Sequence, residues 1–83
     1  MVTTSESDKS DKAVPAQRLI FGRRLRTLRE RVGLTQTAAA AAAGMDRSFY
    51  VEVESARHGV SVDRVPALAK ALGVEPYKLF TDD

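Results

Sequence analysis

Apolar and polar positions alternate along this chain with the period of helices, and glycines and prolines punctuate them. Between about Ala16 and Val32, the residues Phe21, Leu25, Leu28 and Val32 recur at i, i+4, i+7 and i+11. At about 100° per residue they fall on one narrow stripe. Arg23, Arg26 and Glu30 take the opposite face, and Gly33 is a fitting carboxyl-terminal cap. A second helix is expected from about Thr35, its N-cap, to Ala43, built on the run Ala38 to Ala43 and stopped by Gly44. A third runs from about Arg47 to Ser55 with Asp46 as N-cap. Its wheel gathers Tyr50, Val53 and Glu54 on one side, turns Ser48, Val51 and Glu52 to the other, and leaves Phe49 on a flank.

After the loop Ala56 to Val60, a fourth helix begins at the N-cap Ser61 and carries the stripe Val62, Val65, Leu68, Ala69, Leu72 up to Gly73. Pro66 removes a backbone donor there. It either kinks the first turn or moves the true start to about Val65. A short fifth helix starts at Pro76 and supplies Tyr77, Leu79 and Phe80. No strand pattern persists beyond a few residues. The expected class is all-α, with five helices and one domain over residues 16–83. The first 15 residues are rich in Ser, Thr, Asp and Lys and bury too little to offset their ordering entropy, so they read as a disordered tail.

Composition narrows the function. The 83 residues carry 13 Lys and Arg, 11 Asp and Glu, one histidine and no cysteine. That excludes a two-domain enzyme, a disulfide framework, a thiolate metal site and a serine-type triad. No apolar run reaches the roughly 18 residues that span a bilayer, and MVTTSESDKSDK has no apolar stretch, so neither a membrane segment nor a secretory signal is expected. The reading is a cytoplasmic protein without metal, cofactor or evident small-molecule ligand. Its net charge of +2 is unevenly spread: residues 16–58 hold eight basic against four acidic side chains, while both flanks are slightly acidic. A cationic centre suits nucleic acid first and an acidic protein face second.

The connection between the second and third helices carries the function. Two short helices separated by Gly44-Met45-Asp46, with alanines lining the junction, cross steeply and leave the second protruding. A protruding helix with a polar outer face fits the major groove of DNA. Here the chain resembles a known family. The stretch from Gly33 through Leu34-Thr35-Gln36, the alanines, Gly44-Met45-Asp46-Arg47-Ser48-Phe49-Tyr50 to Glu54 is similar to the helix-turn-helix of phage-repressor-like (Xre) regulators. Ser61 to Phe80 resembles their fourth and fifth helices. The resemblance spans about residues 19–80, and the one-domain size is similar to controller proteins of restriction–modification systems.

The resemblance implies a transcriptional regulator that binds double-stranded DNA as a homodimer. It implies phosphate contacts from Gln36 at the amino end of the second helix, assisted by Thr35, and from Arg57 and His58 in the following loop. Arg47 and Ser48 match the first base-reading positions. Arginine can bridge guanine O6 and N7, Glu52 one turn on can accept from cytosine N4, and Val51 can meet a thymine methyl. The resemblance also pairs Arg29 with Glu54 as a structural ion pair, which their positions beside the apolar stripes allow. By analogy, Leu79 and Phe80 are the dimer contacts. The arginines of the first helix read mainly as a solvated face. Four residues depart from the family pattern: Ala39 is small for its place and Tyr50 large, Ala56 stands where glycine is usual, and Pro66 is atypical. The alternative from another class is a protein-interaction module on the same fold, an antitoxin or an adaptor.

Overall fold

The computed structural model describes residues 14–81. The tail expected over residues 1–15 lies, for residues 1–13, outside the described residues. Among the described residues the chain forms four α-helices and no strand: α1 (Ala16–Arg31), α2 (Gln36–Ala42), α3 (Arg47–Glu54) and α4 (Val65–Leu72). Two 3-10 helices accompany them, Val62–Arg64 before α4 and Pro76–Phe80 at the end.

The all-α reading therefore holds, with one change in the count. The expected fifth helix is a 3-10 helix of five residues, begun by Pro76 and too short to settle into α geometry. Pro66 takes the later of its two expected outcomes. The α-helix starts at Val65 with proline in its first turn, and residues 62–64 wind as 3-10 ahead of it. Ser61 precedes that turn without a side-chain capping bond. Thr35 and Asp46 do cap as expected, each accepting from a backbone N–H three residues on: Ala38 at 3.0 Å and Phe49 at 3.3 Å.

The core joins one face of every helix. Phe21, Leu25 and Leu28 of α1 meet Ala39 and Ala40 of α2, Tyr50 and Val53 of α3, Val65, Leu68 and Leu72 of α4, and Leu79. Val32 does not belong to it and is 49% exposed. It caps α1, and the chain turns back at Gly33 so that Leu34 packs against the core instead. Tyr50 and Ala39 are both wholly buried, and Phe49 packs against the same cluster. The large Tyr50 and the small Ala39 thus belong to one core cluster.

All four α-helices end in one motif. The backbone N–H that follows the left-handed residue reaches the carbonyl five residues back: Leu34 to Arg29, Met45 to Ala40, Arg57 to Glu52 and Val74 to Ala69, at 2.8–3.1 Å. This Schellman geometry needs a left-handed residue in between. Gly44 supplies it between α2 and α3, at φ +68°. After α3 the position is filled by Ala56 at φ +67°, a buried residue that pays the steric cost of its Cβ, about 1–2 kcal/mol.

Gly22 sets the distance between α1 and α3. A Cβ on it would lie 2.6 Å from the carbonyl oxygen of Val53 and 2.7 Å from that of Glu54. Only glycine lets the middle of α1 rest directly on the carboxyl end of α3.

Candidate nucleic-acid interface

The helix pair α2–α3 is held at three points. Its turn is closed by the Gly44 and Met45 amides, which donate to Ala41 at 3.1 Å and Ala40 at 2.9 Å, with the Met45 side chain buried beneath. Tyr50 and Val53 fasten the inner face of α3 to the core. Glu54, in the last turn of α3, is gripped from two other helices. The Arg29 guanidinium of α1 donates through Nε to Glu54 Oε2 at 2.6 Å and through its terminal nitrogen to Oε1 at 3.2 Å. Gln36 of α2 donates its amide to Oε1 at 3.0 Å. Arg29 also reaches the Leu34 carbonyl at 2.8 Å.

This network is buried and its protonation is fixed. Burial pushes the Glu54 carboxyl up, but the bonds from Arg29 and Gln36, with the Tyr50 hydroxyl nearby, outweigh it and hold the group below the usual carboxylate range. Its bond to Glu54 likewise holds the Arg29 guanidinium above its ordinary value, against the opposing effect of burial. Burial first, and the polar approach and charge of the Glu54 carboxylate after it, push the Tyr50 phenol far up, so it stays neutral. Its hydroxyl is buried without a hydrogen bond of good geometry.

What remains of α3 faces outward. Arg47 and Ser48 are exposed at its amino end, and Val51 and Glu52 are half-buried along the same side. Thr35 is exposed at the amino end of α2 beside a half-buried Gln36. Arg57 and His58 are exposed in the loop after α3. The residues expected to meet bases and those expected to meet phosphate therefore lie on two adjacent helices and the loop that follows.

Three expectations need adjustment. Gln36 is not an unattached side chain: its amide nitrogen is committed to Glu54, which leaves one amide hydrogen and the carbonyl to face outward. Glu52 and His58 are neighbours rather than separate contacts. His58 Nε2 lies 3.4 Å from Glu52 Oε1, and the imidazole packs at 5.7 Å on the Phe49 ring. Leu79 is 0% exposed and belongs to the protomer's own core, so it cannot present itself to a second copy. The period-three eclipse of a 3-10 helix turns Leu79 inward and leaves Tyr77 and Phe80 exposed. Phe80 stacks on Phe21 at 5.4 Å between ring centres.

Sequence reading missed Arg24. It is buried, and its Nε donates to the Lys78 carbonyl at 2.8 Å, tying α1 to the last turn. The signal was present, since Arg24 falls on the wheel beside Phe21 and Leu28 at i−3 and i+4. No helix among the described residues is long and apolar enough to cross a membrane.

A family model described as helix-turn-helix domain matches residues 20–78. The control protein C.MunI of a Mycoplasma species is 33% identical over 63 residues, which are 75% of this chain and 85% of that protein. The control protein C.BamHI of Bacillus amyloliquefaciens is 32% identical over 63 residues, 75% of this chain and 78% of its own. Among solved structures, the restriction-modification controller protein C.AhdI from Aeromonas hydrophila superposes with a TM-score of 0.77 at 42% identity, covering 80% of this chain and all of that one.

Proposed function

The chain belongs to the helix-turn-helix domain family, and from that premise we propose that it is a sequence-specific transcriptional regulator that binds a pseudo-palindromic operator through the major groove as a homodimer. The observation that carries the reading is the division of α3. One side is locked by Tyr50, Val53 and the Arg29–Glu54–Gln36 network, and the other offers Arg47, Ser48, Val51 and Glu52 to solvent. A helix so held enters the groove as a rigid reader. Arg47 and Ser48 address base edges first, with Val51 and Glu52 behind them. Thr35, the outward part of Gln36, Arg57 and His58 hold the phosphates on either side. The tail over residues 1–15 precedes this DNA-binding unit of residues 16–83, which works in the cytoplasm at the nucleoid.

A single α3 reads only a few base pairs, so selectivity requires two. Exposed Phe80 and Tyr77 supply apolar surface for pairing two copies. The two reading helices then meet adjacent turns about 34 Å apart. The test is selection of bound duplexes from a random pool, followed by titration at several salt concentrations. The expected result is a motif with two-fold symmetry and a steep negative slope of log affinity on log salt. A flat slope, or a protein that ignores the pool and co-purifies with a stoichiometric protein, favours the adaptor or antitoxin reading. Phe80→Ser in analytical ultracentrifugation should shift the protein towards monomer, and an unchanged dimer would place the pairing surface elsewhere.

A further inference from the structure

The outer face of α1 carries a second cationic feature, separate from the DNA-reading surface. Ile20, Arg23, Arg24, Thr27 and Arg31 line a groove of about 290 Å³. Three of its five residues are arginines and none is acidic. At about 100° per residue, this stripe lies roughly opposite Gly22 and Arg29, the residues of α1 that face α3. The groove is therefore on the far side of α1 from the reading helix, and a duplex held by Arg47 and Ser48 leaves it open.

Two of the other cations of α1 are already paired. Arg29 is locked to Glu54, and Arg26 pairs with Glu30 at 3.4 Å. Arg23 and Arg31 are exposed and meet no carboxylate among the described residues. They stand eight residues apart on one helix, about 12 Å along its axis. Arg24 forms the floor, fixed in place by its bond to the Lys78 carbonyl. Ile20, 45% exposed, adds an apolar contact at one end.

We propose that this groove docks an acidic protein segment, a short helix that carries two carboxylates two turns apart and ends in an aliphatic residue. Charge complementarity selects the class. The 12 Å span between Arg23 and Arg31 matches carboxylates two turns apart on a partner helix. The aliphatic residue meets Ile20. The planar guanidinium forks favour carboxylates presented in fixed register. Because the groove faces away from α3, the segment and DNA are held at the same time.

The test uses the full isotope-labelled chain and a helical peptide with two glutamates two turns apart and a terminal leucine. A control peptide carries glutamine in place of glutamate. Chemical-shift changes should fall on the outer face from Ile20 to Arg31 and on Lys78. The glutamine peptide should bind at least tenfold more weakly, and so should the Arg23→Ala/Arg31→Ala double variant, whose melting temperature should be unchanged. Protein saturated with duplex should bind the peptide as well as free protein does. Shifts on α3, displacement of the peptide by duplex, equal binding of the glutamine peptide, or undiminished binding by the double variant each overturn the proposal. So does a double variant that loses affinity for duplex instead, since the groove would then be a DNA contact. Failure of the chain to bind any duplex leaves the peptide result standing and counts only against the DNA reading.

Discussion

Replacing Gly22 with alanine sets two physical effects of opposite sign against each other. In an isolated helix the change should stabilise by about 1 kcal/mol, because glycine loses more backbone freedom. In this fold the new Cβ meets two carbonyl oxygens at 2.6 and 2.7 Å and a carbonyl carbon at 3.1 Å, all backbone atoms of Val53 and Glu54. Ordinary carbon–oxygen contacts sit near 3.3 Å, so α1 and the end of α3 must separate by roughly 0.6 Å. No side chain can rotate away to relieve this. The Arg29–Glu54 bond at 2.6 Å spans the same two helices and would be stretched by the same displacement. Overpacking of this kind costs about 1–3 kcal/mol, and the loosened ion pair takes the total to the upper end. The net expectation is a loss of about 2 kcal/mol. For a domain of this size that lowers the melting temperature by roughly 8–16 °C. Thermal melts followed by circular dichroism measure it directly. A Gly22→Ala protein that melts at or above the parent temperature would refute the argument, since helix propensity would then have outweighed the contact.

Other outcomes follow from the same structure. Glu54 is held below the ordinary carboxylate value of 4.5, so the stability it contributes is complete above that pH and is lost as pH falls through its lower folded value. Glu54→Gln should cost about 3 kcal/mol near pH 7, by leaving Arg29 buried without its partner, and should flatten this part of the acid limb in urea melts; an acid limb identical to the parent's would exclude Glu54 as its source. Ala39→Leu should overpack its fully buried site and lower stability by about 1–3 kcal/mol, whereas a clearly raised melting temperature would reveal unused space there. In competition assays Arg47→Ala should relax preference at one position of each half-site, worth about 1–3 kcal/mol, while Gln36→Ala should weaken all duplexes about equally. The reverse pattern would exchange their roles.

The helices were legible wherever local chemistry decided them. Thr35 and Asp46 cap where their side chains can reach an amide three residues on, and the stripe on α1 holds for Phe21, Leu25 and Leu28. Periodicity failed at the last residue of that stripe, because a wheel does not record that Val32 is already outside the helix. It also failed at Leu79, where a period of three in place of 3.6 decides which aromatic and aliphatic residues face in. Arg29 and Glu54 were anticipated as a pair through family resemblance. That Gln36 joins them, and that His58 sits between Glu52 and Phe49, depends on how three separate segments meet, which spacing along one chain does not encode. Gly22 gave no sign at all, since its meaning lies in carbonyls more than thirty residues away.

The bonds that converge on Glu54 fasten the carboxyl end of α3 to both α1 and α2 before any ligand arrives. A reader built this way has little room to mould itself to an imperfect target. If α3 reads an operator as proposed, any misfit has to be absorbed by the duplex, through groove width and bending at its softer steps. Discrimination would then extend to base pairs between the half-sites that no side chain touches, graded by how readily each sequence flexes.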